Sequence, residues 1–219
     1  MSFLLLYVYI IAGSFLISLN LFFIPRSTNQ YLKLFPPFLL LTLAAESTGQ
    51  YLRYLGDNNV VLYNFFSTFE FAFYLWIISL VIQNPRVKKL TRIILLLYLF
   101  AAAINIFLIQ GLRTFHSNSY CLGCLLVVAL CVYYFLELFR LPKYDNLLGN
   151  PAFWICTGLL FFYSCSFPLF GLIHYWSKIP KVLIDNIQAI TNILNIFLYT
   201  LFTIAFLCAR SRKYTLLPS

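Results

Sequence analysis

The sequence predicts an all-α, polytopic membrane protein: one domain over residues 1–219, built as a bundle of seven transmembrane helices. Hydrophobic residues make up 62% of the chain and charged residues only 10%. The mean hydropathy of +0.87 lies outside the range of soluble domains. Seven apolar runs are long enough to span, since a helix needs about 20 apolar residues to cross a hydrocarbon core about 30 Å thick.

The spans follow one another with short connections. In chain order, we predict them at 2–23, 35–55, 60–83, 90–111, 118–139, 151–175 and 183–208. Turn-forming and charged residues separate them, at Pro25-Arg26-Ser27, Gly56-Asp57-Asn58-Asn59, Asn84-Pro85-Arg86, Ser117-Asn118-Ser119 and from Leu141 to Pro151. The second span is the most polar. It begins with Pro36 and Pro37, which the first helical turn tolerates because its N–H groups have no helical partner.

The basic residues predict the orientation. With the N-terminus outside, eleven of the 15 Lys and Arg residues fall on the inner side: Arg26, Lys33, Arg86, Lys88, Lys89, Arg92, Arg140, Lys143, Arg210, Arg212 and Lys213. The positive-inside rule therefore predicts an outer N-terminus and a cytoplasmic C-terminus. Because these charges are spread over helix ends, they indicate topology and not nucleic-acid binding. Near the inner face, Glu137 is expected to pair with Arg140.

Polar residues recur at helical spacing within three spans. Because an ionisable side chain in hydrocarbon costs at least a few kcal/mol, the mid-span acids Glu46 and Glu70 mark a candidate site. Helix 7 carries a polar stripe at i, i+3, i+7 and i+10 from Asp185. Polar faces avoid lipid and are expected to converge inside the bundle. The predicted ligand-binding residues are Glu46, Gln50, Tyr63, Ser67, Glu70, Asn105, Gln188, Asn192 and Asn195.

The polar stripes have two interpretations. They could join helices through interhelical hydrogen bonds, which contribute about 0.6 kcal/mol each on average. They could instead surround a polar cavity that opens outward and binds a small ligand, an ion or a proton. Both interpretations stay open on the sequence alone.

The cysteines and histidines allow a weak metal hypothesis. Cys121 and Cys124 form a CxxC pair near the outer end of helix 5, and His116 and His174 are predicted near the same side. Four such ligands could hold zinc, and the two thiols could form a redox pair. The hydrophobic flanks favour packing, since free Cys is a common small apolar residue. We therefore predict no cofactor and no resident metal.

Three segments resemble small, uncharacterised bacterial seven-helix membrane proteins. They are Leu62–Phe71, Phe153–Tyr163 and Asn192–Tyr199. The resemblance covers the whole chain and implies a multi-pass protein of the bacterial inner (plasma) membrane, without implying an activity. Size and topology are also similar to the seven-helix sensor regions of some bacterial histidine kinases.

The function favoured by the sequence is binding of a small ligand, ion or proton in the outward-facing pocket, in a sensor-like module or a minimal transporter. A lipid-modifying enzyme that uses Glu46 and Glu70 as an acid–base pair is the alternative. A structural subunit is the third, with a membrane protein or a second copy as partner. The chain has no HExxH or GxSxG motif, which argues against an enzyme without excluding one.

Overall fold

The computed structural model describes residues 2–23, 30–140, 147–171 and 181–214, and all regular elements in these ranges are helical. The seven α-helices are α1 (Ser2–Ser18), α2 (Phe35–Leu55), α3 (Val60–Val81), α4 (Pro85–Ile104), α5 (Ser117–Arg140), α6 (Pro151–Gly171) and α7 (Lys181–Tyr214). Two 3₁₀ turns flank the first connection, and a π turn over Asn105–Ile109 extends α4. The prediction of an all-helical fold is confirmed.

Six helices are long and apolar enough to cross a membrane. Their apolar segments are Leu6–Phe23, Val60–Val81, Pro85–Ile109, Ser117–Arg140, Pro151–Gly171 and Asn186–Ala209. A multi-pass helical membrane bundle follows from these six. The helix outside this group is α2, whose apolar run is interrupted by Glu46, Gln50 and Arg53. A seventh crossing by α2 stays a prediction.

Several helix boundaries differ from the predicted ones, among them the start of α4 and the end of α7. The fourth helix begins at Pro85 and not near residue 90, because the Asn84 side chain accepts a hydrogen bond from the Arg86 N–H at 3.0 Å and caps the helix. Proline at its first position lacks only an N–H that would have no helical partner. The basic residues after Pro85 therefore lie on a helix. The last helix, α7, also continues to Tyr214, beyond the predicted end at 208.

Six of the helices form a closed ring. Going round it, α1 packs on α2, α2 on α3, α3 on α5, α5 on α6, α6 on α7, and α7 returns to α1. The remaining helix, α4, packs outside the ring against α3 and α5. Consistent with that position, Leu96, Leu97 and Phe100 on α4 are more than 60% exposed. The ring places six helices around one central space.

The turn between α2 and α3 defines one end of the ring, which we call the cavity end. Gly56 ends α2 with φ 79°, in the left-handed region that glycine enters without steric cost. The next residue, Asp57, donates its N–H to the carbonyl oxygen of Leu52 at 2.9 Å. This closure makes α2 and α3 antiparallel neighbours. The α4–α5 connection lies at the same end.

The opposite end, which we call the basic end, is joined by Glu137 on α5. Its two carboxylate oxygens accept hydrogen bonds from the backbone N–H groups of Gln83 at 2.8 Å and Asn84 at 2.7 Å. These contacts anchor the α3–α4 turn on α5. The sequence predicts a pair between Glu137 and Arg140 but not these two hydrogen bonds. Backbone N–H groups of a distant turn give no signal in the local sequence.

Four aromatic side chains fill the ring between the two ends; we call Phe35, Phe38, Tyr74 and Phe202 the aromatic plug. Each ring contacts the next around a closed circuit, with centroid distances of 6.4, 5.3, 6.1 and 5.4 Å. All four side chains are at most 3% exposed. The centre of the bundle is therefore a packed aromatic layer.

Candidate functional site

A polar cavity of about 580 Å³ lies inside the ring at the cavity end. Five of the predicted site residues line it from α2 and α3: Glu46, Gln50, Tyr63, Ser67 and Glu70. Three more line it from α7: Gln188, Asn192 and Asn195. The structure therefore brings eight of the nine predicted residues to one space. Ligand binding by them stays a prediction.

Glu46 is held by two tyrosine hydroxyl groups from neighbouring helices. Tyr7 of α1 and Tyr63 of α3 donate to the same oxygen, Oε2, at 2.8 and 3.1 Å. Gln50, one turn along α2, donates from its side-chain amide to the Tyr7 hydroxyl at 2.8 Å. One carboxylate therefore joins α1, α2 and α3, and all of its donors are neutral.

Gly49 makes room for this arrangement. A Cβ atom at this position would overlap the Tyr63 hydroxyl group and lie 2.8 Å from the ring carbon that carries it. Tyr63 therefore crosses the surface of α2 where that helix has no side chain. The close approach is the physical reason for glycine inside this helix, where glycine otherwise costs about 1 kcal/mol relative to alanine.

Glu70 lies deeper on the same face of α3. Its Oε1 atom accepts a hydrogen bond from the hydroxyl of Tyr74, one turn further along, at 3.2 Å. Tyr199 of α7 lines the cavity at this depth and lies 5.8 Å, ring to ring, from Phe202. Because Tyr74 and Phe202 belong to the aromatic plug, these contacts join the deeper acid and the cavity wall to the plug.

The α7 side of the cavity is lined by amides. Asn192 is buried, with 4% of its surface exposed, and its Nδ2 atom has no hydrogen-bond partner among the described residues. Asn195 is half-buried and Gln188 is exposed. A buried donor without a partner costs about 1–3 kcal/mol. The cavity wall thus presents an unused donor next to the two acids.

Three aromatic rings form a further part of the wall, which we call the aromatic wall: Phe115, Tyr120 and Phe170. Their centroids lie 5.4, 5.6 and 4.8 Å apart in pairs, and each ring lines the cavity. They come from the α4–α5 connection, the start of α5 and the end of α6. The cavity therefore combines carboxylates, amides and aromatic surface.

A buried histidine supports the cavity from behind Ser67. His116 is fully buried, and its Nε2 atom lies 2.8 Å from Ser67 Oγ while Nδ1 lies 2.6 Å from Ser119 Oγ. The Ser67 hydroxyl donates to the Tyr63 carbonyl at 2.5 Å, so Nε2–H is the donor and Ser119 donates to Nδ1. Burial lowers the pKa of His116 to about 4, because it penalises the charged ring.

Asn64 fixes the connection that carries His116. Its side-chain amide donates to the carbonyl oxygens of Leu112 at 3.2 Å and Thr114 at 2.8 Å. Its Oδ1 atom accepts from the backbone N–H of His116 at 3.2 Å. One asparagine thereby holds the α4–α5 connection against α3.

Asn105 is the predicted site residue that the structure does not bring to the cavity. Its Nδ2 atom donates to Gln110 Oε1 at 2.7 Å and to Ser119 Oγ at 2.9 Å. It begins the π turn, and the wider turn directs this segment toward the start of α5. Asn105 therefore belongs to the hydrogen-bond network around His116 and not to the cavity lining.

The weak metal hypothesis gains no support from the described residues. They contain no group of three or more His, Cys, Asp or Glu side chains arranged to hold a metal ion. Cys121 is half-buried, Cys124 is buried, and both are free thiols. His116 bonds to two serines, and His174 lies outside the described residues.

A second hollow lies on the outside of the ring, between α2 and α3. It measures about 420 Å³ and is lined almost entirely by apolar side chains, among them Leu41, Val61 and Phe69. Phe66 lines both this groove and the polar cavity. A single ring therefore forms part of the wall between the two spaces.

Tyr7 and the aromatic wall line the cavity but are not predicted from the sequence. Tyr7 is 3% exposed and bonds to Glu46, while Tyr9 on the same helix is 69% exposed. No periodic polar face on α1 distinguishes the two. The chain contains 24 Phe and 16 Tyr, so nothing in the sequence distinguishes the rings of the aromatic wall from the other aromatic residues.

Comparison with known proteins adds no relative: no protein-family model, no curated protein and no solved structure matches this chain. The resemblance to small bacterial seven-helix proteins stays a prediction.

Proposed function

We propose that this protein binds a small ligand, ion or proton in the cavity, as a sensor-like module of the bacterial inner membrane and not as a transporter. The observation that supports this most directly is the meeting of Glu46, Glu70 and Asn192 around one space of about 580 Å³. That volume is in the range of small-molecule sites, about 300–1,000 Å³. In this proposal α2 crosses the membrane as the seventh span.

The proposed orientation places the cavity end outside the cell. Five of the basic residues that the positive-inside rule assigns to the cytoplasm lie at the basic end: Arg86, Lys88, Lys89, Arg92 and Arg140. Lys and Arg concentrate in short cytoplasmic segments near span ends. The ligand would then enter from the cell exterior.

The basic half favours sensing over transport. The hydroxyls of Ser79, Thr200 and Thr203 donate to carbonyl oxygens of their own helices at 2.7–2.8 Å. Such bonds use the donor locally and offer no polar path. The aromatic plug fills the ring at the level of Thr200 and Thr203, which lie on either side of Phe202 on α7. A transporter needs a route past these rings, and a sensor does not.

Cysteine labelling tests the cavity and its orientation together. We expect Asn195→Cys to react, from outside spheroplasts, with a small membrane-impermeant methanethiosulfonate, because Asn195 lines the cavity. Ile193→Cys is the matched control, since Ile193 is 54% exposed but does not line the cavity and would face lipid. Peptide mass spectrometry separates these sites from the six native cysteines.

Three results would contradict the proposal. If Asn195→Cys does not react in membranes or in detergent, the hydrated cavity is contradicted. Labelling from the cytoplasmic side alone reverses the orientation. Dissipation of a pH gradient in proteoliposomes, lost in Glu70→Gln, would establish transport instead of sensing.

A lipid-modifying enzyme is the second candidate, because both acids line one cavity. Lipid turnover by the purified protein, abolished in both Glu46→Gln and Glu70→Gln, would establish it in place of the sensor.

A further inference from the structure

The charged side chains of the cavity are unbalanced. Among the described lining residues, Glu46 and Glu70 are the acids and Arg53 is the base. Arg53 is exposed, so solvent screens its charge. The acids lie deeper, and the groups that donate hydrogen bonds to them in the described part of the chain are neutral tyrosine hydroxyls. The cavity therefore holds two carboxyl groups within an apolar bundle, with no buried base among the described lining residues.

Two carboxyl groups without a buried basic partner favour the binding of a cation. An ionised carboxylate away from water is costly unless it is paired with a positive charge or protonated. The hydrogen bonds from Tyr7, Tyr63 and Tyr74 supply partial positive charge but no compensating ion. A cation that entered the cavity would supply the missing charge to Glu46 and Glu70 together.

The remaining wall indicates an organic cation and not a metal ion. The cavity volume of about 580 Å³ far exceeds the space one ion fills, and a group of three metal-ligating side chains is absent from the described residues. The rings of Phe115, Tyr120 and Phe170 offer apolar area, and aromatic faces attract organic ammonium groups. Carboxylates beside aromatic rings form the surface that such a molecule requires.

Asn192 adds a requirement for an oxygen. Its Nδ2 atom is buried on the cavity wall with no partner among the described residues. An N–H donor is satisfied by a hydroxyl, carbonyl or carboxylate oxygen. A ligand that carried one would remove the cost of the unused donor.

We propose that the cavity binds a small amphipathic organic amine: the ammonium group meets Glu46 and Glu70, an oxygen accepts from Asn192, and the apolar part packs on the aromatic wall. The inference rests on the proposed ligand-binding function and specifies its ligand class. Shape, charge and the unused donor point to the same kind of molecule.

A matched set of four probes tests each part of the proposal. 2-Amino-1-phenylethanol carries the amine, the hydroxyl and the ring. In 1-phenyl-1,2-ethanediol a hydroxyl replaces the amine, phenethylamine lacks the hydroxyl, and mandelate carries a carboxylate. Isothermal titration calorimetry with the purified protein in detergent, corrected with empty micelles, measures the affinity of each probe.

We expect the amino alcohol to bind saturably and the diol about tenfold more weakly or worse, since a hydrogen bond to a charged group contributes roughly one to two orders of magnitude in affinity. Glu70→Gln should weaken the amino alcohol by a similar factor and make it bind no better than the diol. Asn192→Ala should lower the affinity for the amino alcohol to that for phenethylamine and leave phenethylamine unchanged.

Glu137→Gln is the matched control, because it makes the same chemical change at the basic end, away from the cavity. It should retain wild-type affinity for all probes. Circular dichroism and size-exclusion profiles identify any variant that fails to fold, and the probe series on the unaltered protein decides the question without variants.

Equal binding of the diol and the amino alcohol, tighter binding of mandelate, or no saturable binding of either amine would overturn the amine assignment. Those results leave the hydrated cavity standing if Asn195→Cys still reacts. If Asn195→Cys does not react, the cavity itself is contradicted. Failure of the amine assignment and failure of the proposed function are therefore distinguishable.

Discussion

The cavity and the opposite half of the bundle differ in how several of their polar side chains are used. At the cavity end, Glu46 bonds across helices to Tyr7 and Tyr63, and Asn192 keeps a buried donor unused. In the basic half, Ser79 and Thr203 donate to their own helices. The aromatic plug separates the two. Cross-helix bonds around a space suit binding, whereas aromatic packing suits stability.

The largest effect should follow from opening the plug. Phe35 contacts Phe38, Phe73, Phe202 and Phe206 at 5.3–6.4 Å and is fully buried. We expect Phe35→Ala to cost about 3–5 kcal/mol of unfolding free energy through the cavity it leaves. Denaturant titration in detergent measures this cost.

Asn192→Ala supplies the contrast to the plug variant. It removes a buried donor with no partner among the described residues, and relief of that cost offsets the lost packing, so the net change in stability should be about 1 kcal/mol or less. If both variants lost equal stability, the division between a binding half and a stabilising half would fail.

The second prediction concerns the buried histidine. The native pKa of about 4 lies below the ordinary 6.5, so the unfolded chain binds the proton first as the pH falls. The stability that neutral His116 contributes is present above pH 6.5 and is lost between pH 6.5 and pH 4, a loss of about 3 kcal/mol.

His116→Gln isolates that contribution, since glutamine does not titrate. The wild type should lose more thermal stability than the variant between pH 7 and pH 4.5, measured by melting in detergent. Parallel losses in the two proteins would show that the ring titrates normally in the native state.

The smallest loss of stability among the three destabilising predictions should come from crowding Tyr63. We expect Gly49→Ala to cost about 1–3 kcal/mol, because the new Cβ atom displaces the Tyr63 hydroxyl from Glu46. In the control Gly13→Ala, the Cβ atom meets nothing within 4 Å, so this change should be neutral or stabilise by up to about 1 kcal/mol. Equal melting temperatures would show that Tyr63 moves aside freely.

The parts of the fold and site that can be predicted from the sequence are those marked by apolar runs and by polar residues at helical spacing. Glu46, Glu70 and Asn192 stand out because polar groups are rare in apolar spans, and helical spacing puts each on a definite face. Six of the seven helices follow from apolar run length. The start of α4 does not, because the cap at Asn84 begins the helix among charged residues.

The rest depends on contacts between distant segments. Tyr7 and Tyr9 are alike in the sequence, and only packing on α2 buries the first. The sequence allows His116 as a metal ligand. Its actual partners, Ser67 and Ser119, are common residues without a distinctive spacing, so the sequence does not indicate these hydrogen bonds. Asn105 lies at the same depth as the cavity residues, but the π turn directs this segment toward Ser119 and away from the cavity. Such features require the tertiary structure.

Phe66 stands between the polar cavity and the apolar groove of α2 and α3. Rotation of that one side chain would join the two spaces. A molecule dissolved among the acyl chains could then reach the acids sideways, without leaving the bilayer. Its rate of arrival would follow its concentration in the bilayer, which is its partition coefficient multiplied by its concentration in the surrounding water.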